Sequence, residues 1–182
     1  MIFETARLIV RPWRAEDAEE VFAIYHAPEV TRYLGATRAH DELAHSRAWL
    51  ELIAARNEAA PFGLGLWAAT LRGGGPPIGS VLLLPLAGGP EPEPEVEIGY
   101  HLGRDWWGQG YATELAARCL HHGFADLGLP RIVGVTFPEH LASQRVLRKI
   151  GLQYEGRRHR FGQELDYFAL DAPAAPTRTG RG

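Results

Sequence analysis

The stretch EIGYHLGRDWWGQGYATELA, residues 97–116, decides the fold because it runs from a strand through a glycine-containing turn into the strongest helix of the chain. Apolar side chains recur along 108–127 at the spacing of one helix face, which predicts an amphipathic helix. Gly108 and Gly110 in the turn let the backbone approach a ligand closely. The first N–H groups of the helix face the same turn, so the stretch predicts a site that holds pyrophosphate through backbone donors.

Three other kinds of structure contain glycines at such a turn. Two glycines can simply form a tight strand-to-helix turn, and their spacing alone does not exclude that. A dinucleotide fold carries its glycine motif in the first βα turn of a parallel sheet, whereas here the glycines follow four predicted strands. A Walker A loop ends in Gly-Lys and then Ser or Thr, an ending that GQGYATE lacks.

Periodicity predicts an alternation of strands and helices around this stretch. The first helix begins near Ala18 and is ended by Pro28, whose ring cannot continue it. A second helix is predicted over 40–57, with one face formed by Leu43, Leu50, Ile53 and Ala54. Further helices are predicted at 108–127 and 139–150, and strands at 6–13, 62–71, 78–86, 96–102, 131–137, 152–160 and 164–171.

This order predicts a mixed α/β fold in a single domain, residues 1–171. The remainder, 172–182, is rich in Pro, Gly and polar residues and is predicted to be a disordered tail. The low-complexity loop AGGPEPEPE, residues 87–95, is predicted to be mobile.

Composition narrows the classes of function. A net charge of −3 and a pI of about 6.2 give no global basic field, so we expect no nucleic acid partner. No stretch reaches the ~20 apolar residues that span a bilayer, and we expect no membrane association. The lone cysteine, Cys119, excludes an intrachain disulfide and a cysteine-based zinc site, which suits a reducing cytoplasm.

The segment WWGQGYATELA resembles the acetyl-CoA-binding segment of GNAT acetyltransferases, in which Gln or Arg, Gly, and Gly or Ala follow a fixed spacing. Trp107 replaces the first residue of that pattern, a version similar to the branch of ribosomal-protein alanine N-terminal acetyltransferases. Three further segments resemble the same branch in the same order: TARLIVRPWRAEDAEEVF (5–22), EIGYHL (97–102) and PEHLASQRVLRKIGLQYEG (138–156).

The resemblance implies acetyl-CoA as cosubstrate, no metal, and a mostly antiparallel sheet flanked by about four helices, with a splayed parallel pair formed by the fourth and fifth strands. It implies transfer of acetyl to a primary amine, with a protein N-terminal amine as one acceptor class. Transfer is expected to be direct, in a ternary complex, because Cys119 lies on the apolar helix stripe, where burial raises the pKa of a thiol. The alternative is a non-catalytic acyl-CoA-binding module, because Trp107, His140 and Leu147 depart from the family pattern.

The resemblance also assigns residues to the cofactor. Backbone groups near Tyr100 and Leu102 are expected to hold the pantetheine amides. The remaining cofactor-binding residues are expected to be Trp107, Gly108, Gln109, Gly110, Tyr111, Ala112, Thr113, His140 and Ser143.

Two catalytic residues are predicted. Glu95, Glu97 and His101 share one strand face if pairing is regular. The resemblance places the thioester against this strand, which makes Glu97 the candidate base, directly or through water. An acid on a solvated strand face is the alternative interpretation of Glu97. Ser143 is the candidate donor to the departing thiolate, since Leu147 stands where many relatives have a tyrosine acid.

The acceptor amine is less defined. The run EPEPEVE, residues 91–97, suits a cationic acceptor but equally a solvated acidic loop. The protein is expected to be a monomer or a homodimer.

Overall fold

The computed structural model describes residues 1–34, 40–86 and 95–173. The predicted mobile loop lies outside these residues except for Glu95, and so does the predicted tail from residue 174 onward. Within the described residues, the strands are β1 (Phe3–Glu4), β2 (Leu8–Arg11), β3 (Gly65–Leu71), β4 (Pro77–Pro85), β5 (Val96–Leu102), β6 (Arg131–Thr136), β7 (Gln153–Arg160) and β8 (Gln163–Asp171). The α-helices are α1 (Ala18–His26), α2 (Pro28–Thr31), α3 (Leu43–Ala59), α4 (Tyr111–His121) and α5 (Leu141–Lys149).

The strands form a single sheet in the order β1-β2-β3-β4-β5-β6-β8-β7. Every neighbouring pair is antiparallel except β5 and β6, which are parallel. This confirms the predicted mixed α/β fold with one parallel pair. The pair is the fifth and sixth strand instead of the fourth and fifth, because a separate β1 precedes the strand that was predicted over 6–13.

The helices differ from the prediction in two places. Helix α1 already ends at His26, and Pro28 begins α2, because the fixed φ of proline suits the first position of a helix. The short α2 raises the number of α-helices in the described residues to five, instead of about four. The helix predicted over 108–127 begins at Tyr111, and its last turn, His122–Asp126, is a π-helix.

Helices cover both faces of the sheet. On one face, α4 buries a stripe of apolar side chains that includes Leu115 and Cys119, both fully inaccessible to solvent. On the other face, α1 and α3 bury a second cluster made by Val21, Ile24, Tyr25, Leu50 and Ile53. The predicted face of α3 is therefore correct for Leu50 and Ile53 but wrong for Ala54, which is exposed.

The parallel pair is very short. Strands β5 and β6 are in register only at Val96 with Ile132 and at Glu97 with Val133. Beyond Glu97, β5 stays paired with β4, and β6 stays paired with β8. The two strands therefore part in the middle of the sheet, which agrees with the expected splay.

Gly79 of β4 lies opposite Leu102 at the end of β5, where the two backbones approach closely. A Cβ at this position would collide with the carbonyl oxygen of His101 and come within 2.8 Å of the Cα of Leu102. We expect Gly79→Ala to lower the free energy of unfolding in urea by about 2–3 kcal/mol. The control is Gly73→Ala, which has no heavy atom within 4 Å and should stay within about 0.5 kcal/mol of the parent. Equal stability of the two variants would contradict this packing.

Candidate active site

The gap between β5 and β6 opens into a cavity of about 910 Å³. Its walls are formed by β5, the end of β6, helices α3 and α5, and the turn between β7 and β8. Four of the predicted site residues line it together: Glu97, Tyr100, His140 and Ser143. The cavity is therefore the candidate active site.

The side chains of β5 alternate as expected, because the register of β4 and β5 has no bulge. His101 lies on the face that α1 covers, where its Nδ1 is 3.2 Å from the hydroxyl of Tyr25, and Glu97 shares that face. Glu95, just before the strand, accepts a hydrogen bond from Tyr167 and lies 3.6 Å from both Arg131 and Arg158. Its carboxylate is thus part of an ionic cluster, and Glu95 is not among the described residues that line the cavity.

Glu97 has the electrostatics of a proton acceptor at neutral pH. Burial raises the pKa of its carboxyl group to about 7, and the positive charge of Arg56 on α3 opposes that rise. A group with a pKa near the working pH is partly ionised and can both take and release a proton. Glu97 is half-buried and lines the cavity, and its role as the base stays a prediction.

His101 is a neutral group at pH 7. Burial and, to a smaller extent, nearby His140 lower its pKa to about 4. Its neighbour Tyr25 is in turn hydrogen-bonded to Ser80, with 2.6 Å between the two hydroxyl oxygens. The ring therefore joins the cavity wall to a buried pair of hydroxyl groups.

The phenol of Tyr100 on β5 reaches Ser143, a contact that the sequence did not indicate. Tyr100 points to the opposite face of β5 from Glu97, and its hydroxyl donates to the carbonyl oxygen of Ser143 at 3.1 Å. The same hydroxyl lies 3.2 Å from Ser143 Oγ. Leu147, which departs from the expected family pattern, is a fully buried side chain that packs against Gly134. Alternation along β5 is enough to predict that Tyr100 and Glu97 point to opposite faces. It does not predict the contact with Ser143, which depends on how α5 packs against the sheet.

The glycine turn has the backbone conformation that a close ligand approach requires. Gly108 and Gly110 have φ of 75° and 82°, in the left-handed region that favours glycine, and Gly110 caps the start of α4. Arg7 donates from Nη1 to the carbonyl oxygen of Gln109 at 3.1 Å, which ties the turn to the start of β2. The side chain of Gln109 donates to the carbonyl oxygen of Asp105 at 2.9 Å, so its amide stabilises the turn itself.

Several predicted cofactor residues do not line the cavity. Tyr111 and Ala112 pack partly against the core, and the Arg7 guanidinium carbon lies 4.2 Å from the centroid of the Tyr111 ring. Thr113 follows them in the first turn of α4. Leu102 is buried, and its carbonyl oxygen accepts a hydrogen bond from Trp107 Nε1 at 2.8 Å. The Leu102 carbonyl oxygen, which was expected to hold a pantetheine amide, is therefore already hydrogen-bonded within the protein.

A second cavity of about 540 Å³ adjoins the first, and Tyr33 and His140 line both. The His140 ring is stacked on the Tyr33 ring, with 4.2 Å between centroids. Trp107 and two arginines, Arg32 and Arg104, also line this second cavity. The Arg104 guanidinium carbon lies 5.2 Å from the centroid of the Trp107 ring. Two acids, Glu29 and Glu139, line the same cavity, so the charges of the two arginines are balanced among the described residues.

Cys119 lies in the core, and burial raises the pKa of its thiol, so it is not placed to act as a nucleophile. Within residues 1–34, 40–86 and 95–173, no group of three or more His, Cys, Asp or Glu side chains is arranged to hold a metal ion. Among the helices of those residues, none combines the length and apolarity needed to span a membrane.

Comparisons with known proteins agree with this geometry. A family described as "Acetyltransferase (GNAT) domain" matches residues 7–153. The uncharacterized N-acetyltransferase YoaA of Bacillus subtilis is 34% identical over 156 residues, which cover 85% of this chain and 84% of YoaA. RimL, a ribosomal alpha-N-protein acetyltransferase solved with Coenzyme A, has a similar fold, with a TM-score of 0.78, 14% identity, and coverage of 96% of this chain and 99% of RimL.

The structure of AAC(6')-Ib with ribostamycin and Coenzyme A is similar at a TM-score of 0.72 and 18% identity, over 90% of this chain and 93% of that one. At such identities the two solved structures establish the fold alone. The family match and the YoaA relationship go further, since they cover most of the chain. The chain therefore belongs to the GNAT acetyltransferase family and is an N-acetyltransferase.

Proposed function

We propose that the chain transfers the acetyl group of acetyl-CoA to a primary amine by direct attack, with both substrates bound at once in the gap between β5 and β6. The observation that carries this proposal is Glu97, a carboxyl group with a pKa of about 7 in the wall of that gap. An alkyl amine with a pKa near ~10 is almost wholly charged at neutral pH and has to lose a proton before it attacks. Glu97 accepts that proton, directly or through a water molecule.

The residues present fit acetyl-CoA. A Cβ added at Gly108 would meet no heavy atom within 4 Å, so the turn leaves open space beside its backbone. The N–H groups at the start of α4 supply positive potential there without a lysine, whereas the charge of Arg7 is paired with Glu114 at 2.6 Å. Relatives by fold, RimL and AAC(6')-Ib, were solved with Coenzyme A. Bound acetyl-CoA supplies the thioester that is attacked, and the unpaired edge of β5 faces the gap in which its pantetheine arm fits.

The departing thiolate needs a hydrogen-bond donor. Ser143 lies in the first turn of α5 on the cavity wall, and the Tyr100 hydroxyl holds its position from β5. We assign Ser143 as the donor and Tyr100 as the group that orients it. The buried thiol of Cys119 gives no support to an acyl-enzyme route, so transfer is direct.

A protein N-terminal amine is the acceptor class that the resemblance to RimL favours. The alternative, a non-catalytic acyl-CoA-binding module, rests on Trp107, His140 and Leu147. It loses support because the Tyr100 hydroxyl lies 3.2 Å from Ser143 Oγ, and because Glu97 stands in the cavity wall. A reducing cytoplasm suits the free thiol, and the oligomeric state, monomer or homodimer, stays a prediction.

The first prediction from this proposed function concerns the glycine turn. Gly110→Val should weaken Coenzyme A binding by about 2 kcal/mol or more, because a β-branched residue tolerates positive φ poorly and crowds the backbone. Gly128→Val is the matched control, since Gly128 has a φ of 67° but lies in open space and lines neither cavity. Isothermal titration with Coenzyme A, with circular dichroism as the test of folding, measures both. Equal affinity of a folded Gly110→Val variant and the control would place the pyrophosphate elsewhere.

The second prediction concerns Glu97→Gln, which keeps the shape of the side chain and removes its basicity. Turnover at about pH 7 should fall by ~10²- to 10⁴-fold, with the affinity for acetyl-CoA nearly intact. Because the raised pKa of about 7 belongs to a carboxyl group, Glu97 ionises as the pH rises through that value. The parent rate should therefore rise through about pH 7 with an inflection that the variant lacks.

Above about pH 9 the deficit of Glu97→Gln should shrink, because more of the acceptor amine is already neutral. The measurement is a pH–rate profile of both proteins at saturating acceptor. Superimposable profiles would remove Glu97 from the mechanism.

The third prediction concerns the hydroxyl pair at α5. Ser143→Ala and Tyr100→Phe should each lower kcat by ~10-fold or more and leave the KM for acetyl-CoA within about three-fold. Because the two hydroxyls act as one unit, the double variant should lose little more than the worse single variant. Losses that multiply, or that fall on KM alone, would mean that these hydroxyls do not serve the departing thiolate.

A further inference from the structure

Helix α3 carries a second stripe of side chains, which faces the cavity as well as the core. Its cavity-lining residues follow helical spacing over almost three turns: His45, Ala48, Trp49, Leu52, Ile53 and Arg56. The centre of this stripe is apolar and its two ends are polar. Leu52, at the centre, is 63% exposed, so its apolar surface is presented to the cavity mouth instead of the core.

The turn between β7 and β8 presents another exposed apolar side chain to the same cavity. Phe161 is 54% exposed and lines the cavity wall. Its φ of 53° lies in the left-handed region, where it is the only non-glycine residue in the described part of the chain. A bulky residue there is strained, and such strain persists where a site requires the side chain. Asn or Gly would form this turn with less strain, so folding alone does not favour phenylalanine.

The charges of the cavity wall are balanced. Among the described residues that line it, Arg56 and Arg160 are cationic, and Asp41 and Glu97 carry the carboxyl groups. Burial lowers the pKa values of His101 and His140, which keeps both rings neutral at pH 7. A polyamine or an aminoglycoside would bring several positive charges to a wall without a surplus of negative charge. A single amine beside Glu97 is a better match.

We propose that Leu52 and Trp49 on α3, together with Phe161 on the hairpin turn, form a subsite for an apolar side chain next to the amine of the acceptor. The acceptor is then a monoamine of the leucine or phenylalanine type, either the free amino acid or a peptide that begins with such a residue. This inference rests on the proposed acetyl transfer and specifies its acceptor.

The test compares kcat/KM for amines that differ in one feature at a time. L-Leucinamide should exceed glycinamide by about ten-fold or more, because only the former buries an isobutyl group. Spermidine should not exceed glycinamide. Free leucine and the tripeptide Leu-Gly-Gly separate the two sources: preference for the first identifies an amino acid as acceptor, and preference for the second a peptide N-terminus. Either preference supports the subsite.

Phe161→Asn removes the ring at a position where asparagine tolerates the backbone conformation. The leucinamide-to-glycinamide ratio should fall to about three-fold or less, and the melting temperature should not decrease. The matched control is Gly162→Asn, in the same turn, where φ is 76° and a Cβ meets nothing within 4 Å. This control keeps the ring and should keep the parent ratio.

An unchanged ratio in a folded Phe161→Asn variant would overturn the subsite, as would a preference of the parent for spermidine. If no amine releases Coenzyme A thiol, the proposed acetyl transfer fails instead. In that case the affinities of leucinamide and glycinamide for the Coenzyme A complex, measured by isothermal titration, test the subsite independently of turnover.

Discussion

The early end of the β5–β6 pairing is the constraint on which the whole site depends. Two parallel strands that stayed in register beyond Glu97 would use their backbone groups on each other and leave no gap in the sheet. Their separation leaves the facing edges of β5 and β6 without a strand partner beyond Glu97. A ligand with its own amides, such as a pantetheine arm, offers hydrogen-bond partners there. Helix α5 and the hairpin of β7 and β8 form the walls of the opening that remains.

The same opening sets the electrostatics of the site. Glu97 is the last residue of β5 that still pairs with β6, so it is held at the apex of the gap, where burial raises its pKa to about 7. Strand alternation then puts His101 on the same face and Tyr100 on the other. The proton acceptor and the hydroxyl pair at Ser143 therefore reach the gap from opposite faces of one strand. This arrangement suits a reaction in which the amine loses its proton to one group and the departing thiolate receives a hydrogen bond from another.

The sequence predicted the strand 96–102 and the glycine turn well, because local period and glycine chemistry determine both. The shared strand face of Glu97 and His101 followed from alternation, which holds because β4 and β5 have no bulge. The contact of Tyr100 with Ser143 could not be predicted, since it depends on how α5 packs against the sheet. The error for α3 concerned Ala54, which was placed on one face with Leu50 and Ile53 but is exposed. The helix faces both a core and a cavity, and apolar residues such as Leu52 line the cavity, a distinction that periodicity cannot make.

The central claim is that the gap between β5 and β6 is where acetyl-CoA meets the amine. A crystal structure of the protein with Coenzyme A tests it most directly. The account predicts the pantetheine arm in the gap, hydrogen-bonded to the β5 backbone beyond Glu97, with the sulfur beside Ser143 and the pyrophosphate at the Gly108–Gly110 turn. Coenzyme A bound elsewhere, or β5 and β6 paired in register past Glu97 in the complex, would contradict the account.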